Sequence, residues 1–496
     1  MDTQLYSVAQ IRAIEAAAQS ALPPGTLMER AGEAASAYAL ELLGGLPTGV
    51  VLVLAGPGNN GGDALEAAAR LARLGCKVEV LHLSGAAPSA DSLRALERAR
   101  DSAQYGVLRF VDASVPGAQH CLVIDGLFGI GLARPLADRA RALALLVNGM
   151  DCPVLALDVP SGLDADTGAV VGPGGVAVAA THTITFLGNK PGLHTGDGCD
   201  HAGRVHVCRL DTLASMAAEA HLNGPALFGA HLRPRRRNSH KGSFGDVAVL
   251  GGAPGMAGAA LLAARGALFA GAGRVFGALL DAGIGIDPAQ PELMLRDAAG
   301  FAFEGRCVVA GPGLGDSSTA TRLLGKVIDA PGPLLLDADA LNLAAASLDL
   351  QARIARHEGP VVLTPHPLEA ARLLGVTAAI VQGDRLENAR ELAQRLNAVV
   401  LLKGAGSVIA RPDGALALNP TGNPGLATGG SGDVLAGLCG ALLAQGWPAW
   451  EAALGGAWLH GAAADRLVAH GAGPIGLTAG ELPRAIRAEL NALAGS

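Results

Sequence analysis

The chain has 496 residues, half of them hydrophobic, with 70 glycines, 28 prolines and a formal net charge of −7. The glycines and prolines punctuate apolar runs without a fixed period, which excludes a collagen-like chain and favours about two to four globular domains. The acidic balance and the aromatic content of 3% argue against nucleic acid as a partner.

The first residues do not read as a secretory signal, because Asp2 and Glu15 stand where a basic start and an apolar core are needed. Seven cysteines, all well separated, favour neither a disulfide framework nor a zinc site. The longest charge-free apolar segment, 434–450, contains Gln445 and Pro448, and we interpret it as a buried helix. We therefore expect a cytoplasmic protein with no membrane partner.

In chain order, residues 7–43 carry apolar residues at helical spacing and predict helices that pack on a sheet. Residues 50–75 then read as a strand, a Gly/Asn turn and a helix, and 77–83 as the next strand. The same alternation continues to about residue 215. It predicts one α/β domain with a parallel sheet.

A basic, proline-containing run at 232–242 interrupts this pattern, and we interpret it as a solvated linker. Strand, loop and helix patterns then restart and continue to the end of the chain. We place the domain boundary near 225, which gives domains 1–224 and 225–496. In open α/β sheets ligands bind at the carboxyl ends of strands, so the chemistry of each domain is expected in those loops.

The most informative loop of the second domain is GGSGD, which precedes an apolar helix. Gly429, Gly430 and Gly432 allow consecutive N–H groups to turn inward, and the start of the helix adds its own affinity for anions. This pattern is typical of a phosphate site. Asp433 could accept a proton from a substrate hydroxyl while the loop holds a phosphoryl group. It could equally be an ordinary acid of the first helical turn.

In the first domain, residues 56–64 follow a strand and open a helix, with Asn59 and Asn60 as hydrogen-bonding groups. Gly61 and Gly62 would allow close approach of a phosphate or nucleotide. The segment does not match G-x-G-x-x-G, which disfavours a hydride-transferring dinucleotide site.

Two further strand-end loops carry polar side chains. Oxygen atoms of Asn60, Asp125 and Ser161 could converge on a hard cation, which would leave Asp158 as a candidate acid or base. The alternative is plain turn chemistry, in which Asp and Ser are common for geometric reasons.

Longer motifs carry a family resemblance. GPGNNGGDA, VIDGLFGIGLARP, LDVPSGLDADTG and TFLGNKPGL resemble the epimerase domain of bifunctional NAD(P)H-hydrate repair enzymes. HKGSFGDVAVLGG, DADALNL, TPHPLEAARLLG, LLKGAG and NPTGNPGLATGGSGDVLAG are similar to the ADP- or ATP-dependent dehydratase domain of that family. The resemblance covers nearly the whole chain. It implies α/β architecture, with an N-terminal Rossmann-like three-layer α/β/α domain and a C-terminal ribokinase-like α/β domain.

The resemblance implies a two-step repair of nicotinamide cofactors that carry a hydroxyl at C6. The first domain would interconvert the R and S epimers of the hydrate, with Asp158 as acid or base, and potassium would be held by Asn60, Asp125 and Ser161. Its other hydrate-contacting positions would be Asn59, Asn60, Gly61, Gly62, Asp63, Gly129, Ile130, Gly131, Leu132, Ala133, Arg134 and Pro135. Ala64 stands where the family usually has glycine, and a methyl group should be tolerated there if the position is helical.

The second domain would phosphorylate the C6 hydroxyl of the S epimer, with Asp433 as base, and then eliminate phosphate. The resemblance places Ala253, Gly313, His366 and Asp433 against the hydrate. It places Lys403, Gly404, Ala405, Gly406, Ser407 and Gly432 against ADP or ATP. Magnesium is the expected companion of the nucleotide.

Several alternatives remain open. Lys403 could neutralise phosphoryl charge or simply occupy a strand-end turn. His366 could contact substrate or serve the structure, and its spacing to Glu369 resembles a magnesium-associated N-x-x-E element. The sequence leaves the roles of Asp337, Asp339, His240 and Lys241 undecided.

At the level of the whole chain, the second hypothesis is a kinase of a small alcohol, and the third makes the first domain a binding module only. We expect small-molecule partners, namely the hydrates NADHX or NADPHX and the nucleotide, and a homo-oligomer.

Overall fold

The computed structural model describes residues 3–84, 88–103, 107–112, 120–212, 216–281 and 283–495. The chain divides into two compact units, Met1–His221 and Leu222–Ser496. Each is an α/β unit built around its own parallel sheet.

The first unit contains a seven-stranded sheet in the order β4-β3-β2-β5-β6-β7-β8, and its strands pair in parallel throughout the described residues. The strands of this sheet are β2 (Val50–Ala55), β3 (Lys77–His82), β4 (Leu108–Phe110), β5 (His120–Gly126), β6 (Val154–Leu157), β7 (His182–Phe186) and β8 (Arg204–Cys208). The short strands β1 (Gln4–Leu5) and β9 (Ala220–Leu222) lie outside it and form an antiparallel pair. The helices of the first unit are α1 (Val8–Ala21), α2 (Thr26–Leu42), α3 (Asn59–Arg73), α4 (Ala90–Ala103), α5 (Asp138–Asn148) and α6 (Gly198–His201).

Alternation along β2 shows how the first unit forms three layers. Val51 and Val53 belong to a core shared with α2, α3 and α4, whereas Leu52 and Leu54 belong to a core shared with α5. Successive strand residues point to opposite faces, so a strand covered on both faces must be apolar throughout. This explains why the sequence VVLVLA forms a central strand. The unit is a Rossmann-like α/β/α domain, as predicted.

The second unit contains a sheet in the order β18-β17-β16-β15-β14-β13-β10-β11-β12, in which only the β16-β17-β18 pairings are antiparallel. Its strands are β10 (Asp246–Gly251), β11 (Arg274–Leu279), β12 (Met294–Asp297), β13 (Cys307–Ala310), β14 (Leu334–Leu336), β15 (Val361–Leu363), β16 (Val399–Leu402), β17 (Val408–Ala410) and β18 (Leu416–Leu418). Its helices are α7 (Pro225–Phe228), α8 (Ala257–Phe269), α9 (Ser318–Asp329), α10 (Ala338–Ala345), α11 (Leu348–Ala355), α12 (Pro367–Leu374), α13 (Ala378–Gly383), α14 (Arg385–Leu396), α15 (Ser431–Ala444), α16 (Ala449–Ala469) and α17 (Leu482–Ala494).

Helices α8, α15, α16 and α17 cover one face of this sheet and share a hydrophobic core with strand residues such as Val247 and Val309. Helices α8 and α15 lie in backbone contact, because a β-carbon at Gly437 would stand 1.8 Å from the carbonyl oxygen of Ala263. Helix α14 packs against β16 and β17. The ribokinase-like α/β architecture predicted for this half is confirmed.

Two details differ from the sequence-based interpretation. The apolar segment 434–450 is not one helix: α15 ends at Ala444, Gly446 adopts a left-handed conformation (φ 87°), and Pro448 precedes α16. The basic run 232–242 lies inside the second unit, and most of it is exposed. Across the part of the chain that the structure describes, no helix is both long enough and apolar enough to span a membrane.

Candidate active sites

The first unit has a cavity of about 450 Å³ at the carboxyl ends of its strands. Its walls come from α1 and α2, from the start of α3 and from the loops after β5 and β6. The predicted site residues that line it are Asn59, Asn60, Asp63, Gly129, Ile130, Gly131, Leu132 and Asp158. The volume is in the usual range for sites that enclose a small molecule.

Asp158 stands at the end of β6 and is held by a lysine that the sequence analysis did not single out. The Nζ atom of Lys190 lies 2.5 Å from Oδ1 of Asp158, and Lys190 is fully buried. The same ammonium group also donates to Thr185 Oγ1 and to the carbonyl oxygen of Phe186, both at 2.8 Å. Three acceptors match the three donors of an ammonium group, so the position of this charge is fixed.

The backbone of Asp158 adopts a left-handed conformation, with φ 65°. A residue with a β-carbon rarely occupies this region, and strain of this kind persists where the surrounding structure imposes it. A β-carbon at Gly129 would lie 3.1 Å from Asp158 Oδ2, so the absence of a side chain at residue 129 keeps that oxygen accessible.

Two more carboxyl groups, those of Glu15 and Asp63, line the same cavity as Asp158. Burial, and then the charge of Asp158, raise the pKa of Glu15, which Lys190 partly offsets. Burial, followed by the charges of Asp158 and Glu15, raises the pKa of Asp63 well above its ordinary value. The cavity thus combines one carboxylate paired with a lysine and neighbouring carboxyl groups that retain protons more readily.

Of the three predicted cation ligands, Asp125 and Ser161 are hydrogen-bonded to each other, and Asn60 lines the cavity. Asp125 is fully buried and accepts from the Ser161 hydroxyl at 2.7 Å and from the Ser161 N–H at 2.8 Å. Burial raises the pKa of Asp125, although these hydrogen bonds and one from Leu127 lower it. Both side-chain polar atoms of Asn60 are buried and lack a hydrogen-bond partner among the described residues. A buried acid and an amide oxygen without a partner among the described residues are groups that can bind a monovalent cation through oxygen atoms.

Other predicted residues of this unit take structural positions. A β-carbon at Gly61 would stand 1.9 Å from the carbonyl oxygen of Gly56, and one at Gly62 would stand 2.5 Å from the Met28 side chain. These glycines serve close packing of α3, and Ala133, Arg134 and Pro135 do not line the cavity. Ala64 is helical and buried, as expected.

In the second unit, the GGSGD loop places Asp433 in the first turn of α15. Gly430 precedes the helix with φ 91°, a conformation that favours glycine. Burial, and then the charge of Asp337, raise the pKa of Asp433 to about 6. Among the described residues, no side chain donates a hydrogen bond or forms an ion pair to this carboxyl group. A carboxylate with such a pKa is suited to accept a proton near neutral pH.

Lys403 lies at the end of β16, and its ammonium group bonds to an acid that follows β14, two strands away in the sheet. Its Nζ atom is 2.7 Å from Asp337 Oδ1, which also accepts from the Thr364 hydroxyl at 2.9 Å. Burial lowers the pKa of Lys403, but Asp337, Glu369 and Asp433 together raise it. A β-carbon at Gly432 would lie 3.3 Å from the lysine nitrogen, so the ammonium group reaches the start of α15.

Arg385, which is 1% exposed, anchors the start of the loop after β16 through its backbone carbonyl groups. Its guanidinium group donates to the carbonyl oxygens of Leu402 and Lys403 at 3.3 and 3.2 Å. Gly404 and Gly406 have positive φ, and Ser407 bonds back to Gly404. With Ala405 between the two glycines, this is a tight turn directly after Lys403, at the predicted nucleotide-contacting residues.

The remaining predicted hydrate contacts lie on two loops. The N–H of Ala253 donates to the carbonyl oxygen of Gly313 at 2.7 Å, which joins the loops after β10 and β13. Asp339 fixes the second loop by accepting from the N–H of Gly315 at 2.9 Å.

His366 has a structural role whatever its contact with substrate. Its Nδ1 atom accepts from the N–H groups of Leu368 and Glu369, and Nε2 lies 3.2 Å from Glu369 Oε1. Glu369 Oε2 in turn accepts from the N–H of His366 at 2.7 Å, which completes a capping box for α12. The resemblance to a magnesium-associated element therefore falls on a pair that also caps a helix.

No group of three or more His, Cys, Asp or Glu side chains in the described ranges is arranged to hold a metal ion. His240 caps a short 3-10 turn, and Lys241 is exposed. The residues that sequence reasoning did not single out are Lys190, Glu15 and Arg385. Lys190 follows strand β7 closely in a mostly apolar stretch, and that position was the available signal. Arg385 opens α14 among polar residues, where the sequence offered no such signal.

Two family models match the chain. Residues 24–192 match the family described as "YjeF-related protein N-terminus", and residues 247–487 match the family described as "NAD(P)H-hydrate dehydratase". A crystal structure of an ADP/ATP-dependent NAD(P)H-hydrate dehydratase from Bacillus subtilis is 34% identical. It covers 54% of this chain and 97% of its own, with a TM-score of 0.49.

Curated relatives extend over both units. A bifunctional NAD(P)H-hydrate repair enzyme from Escherichia coli is 40% identical over 84% of this chain and 81% of its own length. One from Moorella thermoacetica is 38% identical over 94% and 92%, and one from Coxiella burnetii is 37% identical over 99% and 100%. The chain therefore belongs to the family of bifunctional NAD(P)H-hydrate repair enzymes.

Proposed function

We propose that this protein repairs hydrated nicotinamide cofactors in two steps, one in each unit. The domain formed by residues 1–224 interconverts the R and S hydrates, and the domain formed by residues 225–496 dehydrates the S form with ADP or ATP. Relatives named as bifunctional NAD(P)H-hydrate repair enzymes match most of the chain, which supports this assignment. The carrying observation is Asp433, a carboxyl group near Lys403 whose pKa is raised and which has no hydrogen-bond or ion-pair partner in the described part of the chain.

Epimerisation at C6 can proceed if the hydroxyl group is protonated, leaves as water and returns on the opposite face of the ring. Asp158 is placed to exchange the proton that this hydroxyl gains and loses, and Lys190 fixes the Asp158 carboxylate. Asp63 retains a proton more readily than an ordinary carboxyl group and offers a second exchange partner. Potassium, held by Asn60, Asp125 and Ser161, would neutralise the buried Asp125 and orient the loop after β5.

Dehydration begins when Asp433 removes the proton of the C6 hydroxyl group. The hydroxyl oxygen then attacks the terminal phosphoryl group of the nucleotide. The new C6–O–P linkage forms as the bond from phosphorus to the leaving nucleotide oxygen breaks. Phosphate then leaves C6 and a proton leaves the adjacent carbon, which restores the ring double bond. Lys403 is positioned to neutralise phosphoryl charge, with the Lys403–Ser407 turn and Gly432 beside it.

Magnesium would enter with the nucleotide phosphates and be held by the carboxylates of Asp337 and Asp339. This fits the donor set, because Mg²⁺ in phosphoryl-transfer sites uses one or two carboxylates and completes its shell with phosphate and water. Magnesium would supply further neutralisation of phosphate charge. Substrate contacts of Ala253, Gly313 and His366 belong to the same proposal.

The test uses the separated R and S epimers of NADHX with ADP or ATP, and follows the absorbance of NADH. We expect the second unit to recover NADH from the S epimer whether or not Asp158 is intact. Recovery of NADH from the R epimer should require Asp158. A stable phosphorylated product from another alcohol, without recovery of NADH, would contradict the proposal and favour a kinase.

A further inference from the structure

A second cavity, of about 720 Å³, lies within the second unit. It is formed by the carboxyl-terminal ends of α8 and α15, by α17 and by the basic segment 232–242. None of the proposed catalytic or binding residues lines it. Helix α15 has 14 residues and begins next to Asp433, so at 1.5 Å per residue this cavity lies about 20 Å from the catalytic end of the helix.

The lining of this cavity is strongly cationic. Arg233, Arg235, Arg236 and Arg487 contribute to it, and no Asp or Glu stands among its described lining residues. This contrasts with the whole chain, whose net charge is −7. Arginines gathered without acids repel one another, and a bound polyanion would relieve that repulsion.

One arginine is already positioned by the fold. Arg235 donates to the carbonyl oxygen of Gly271 at 2.6 Å and to the Gln445 side chain at 3.1 Å, and its guanidinium carbon lies 3.8 Å from the ring centre of Phe244. Arg233 and Arg236 are exposed, and their side chains form no hydrogen bond or ion pair among the described residues. They are therefore available to a ligand.

The cavity also offers surfaces for a planar ring. The guanidinium carbon of Arg487 lies 5.1 Å from the ring centre of Phe269, and the guanidinium group of Arg235 lies over the Phe244 ring. Arginine planes and aromatic rings both stack on nucleic bases. Ser239 and Asn491 add polar groups of the kind that contact a ribose.

We propose that this cavity is a second nucleotide site, which binds a nucleoside diphosphate away from the catalytic centre. The arginines would take the two phosphates through paired N–H donors, and the aromatic wall would take the base. The cavity volume lies within the usual range for ligand sites of this size. The site goes beyond the proposed repair function, which needs one nucleotide at Asp433.

The test is calorimetric titration of the full-length protein with ADP, in comparison with the triple variant Arg233→Ala, Arg236→Ala, Arg487→Ala. These three side chains are exposed, so their removal should leave the fold intact, whereas Arg235 is kept because it bonds to Gly271. We expect the stoichiometry to fall by one ADP per chain, or the affinity of one site to fall more than tenfold. The affinity of that site should also fall as salt rises.

The matched control is the triple variant Arg322→Ala, Arg356→Ala, Arg484→Ala, which removes three exposed arginines outside the cavity. It should keep the wild-type stoichiometry. The cavity variant should also keep the wild-type dehydration rate with saturating ADP, which separates failure of this inference from failure of the repair function. An unchanged ADP stoichiometry would overturn the inference. So would tighter binding of an RNA oligomer than of ADP, or dissociation of an oligomer in the cavity variant alone.

Discussion

The two proposed catalytic centres handle their central carboxyl groups in opposite ways. In the first unit, Asp158 is paired with the fully buried Lys190, whose three donors are all used by the protein. In the second unit, Asp433 has no hydrogen-bond or ion-pair partner among the described residues, and the nearby Lys403 is bound to Asp337 instead. An isomerase needs only a fixed acid or base, whereas a phosphoryl-transfer site must accept the charge of an incoming nucleotide.

The largest expected effect comes from a substitution that changes one side-chain atom in the second centre and leaves the first centre intact. Asp433→Asn removes the proposed base and should lower dehydration of the S epimer about 10³-fold or more, because general base catalysis contributes on the order of 10²–10⁴. Epimerisation, measured by interconversion of the R and S forms, should be unchanged. The exposed Asp349→Asn is the matched control and should affect neither. Dehydration at wild-type rate in Asp433→Asn would remove Asp433 from the mechanism.

The reciprocal change is Lys190→Met. It leaves Asp158, the Thr185 hydroxyl and the Phe186 carbonyl without their shared donor, so epimerisation should fall more than 100-fold. The first unit should also lose stability by about 3 kcal/mol, as expected when one partner of a buried ion pair is removed. Epimer interconversion and thermal unfolding are the measurements, with the exposed Lys77→Met as control. Retained epimerisation in a folded Lys190→Met protein would contradict the positioning role.

The pH dependence of dehydration should report Asp433. Its pKa is raised from 3.8 to about 6, so the base is lost as pH falls through 6, and kcat/KM should drop about tenfold per pH unit below it. The same shift means that the folded state binds this proton more tightly than the unfolded state does. The linked stability is full below pH 3.8 and is lost as pH rises through about 6.

The control for this profile is ADP binding over the same range, measured by calorimetry, with the enzyme kept folded. If kcat/KM stays flat down to pH 5 while ADP still binds, Asp433 does not act as the base.

The smallest effect concerns the cation site of the first unit. Potassium should raise the unfolding temperature by a few degrees relative to sodium at equal ionic strength, because binding to the folded state stabilises it. Asn60→Ala should remove this difference, since it deletes the unpartnered buried amide. Asn59→Ala should keep it, because the Asn59 side chain instead accepts from the Ser89 hydroxyl. Equal potassium stabilisation in both variants would place the cation elsewhere.

Local sequence patterns predicted the strand, turn and helix alternation because buried strands such as VVLVLA must be apolar on both faces. They also predicted that the Asn59–Asp63 segment opens a helix. They did not predict the end of α15 at Ala444. Gln445 and Pro448 interrupt the apolar segment 434–450, and in the structure the helix ends just before Gln445 and the left-handed Gly446.

The sequence by itself determined which residue types stand at the ends of the strands, and thereby the family, the two α/β folds and the candidates Asp158 and Asp433. Only the tertiary structure decided how those charges pair. Lys190 and Asp158 are 32 residues apart, and Lys403 and Asp337 are 66 apart, yet the members of each pair meet near the carboxyl ends of strands. Parallel strands bring distant carboxyl ends together, and the burial that results sets the pKa of Asp433, which no local pattern encodes.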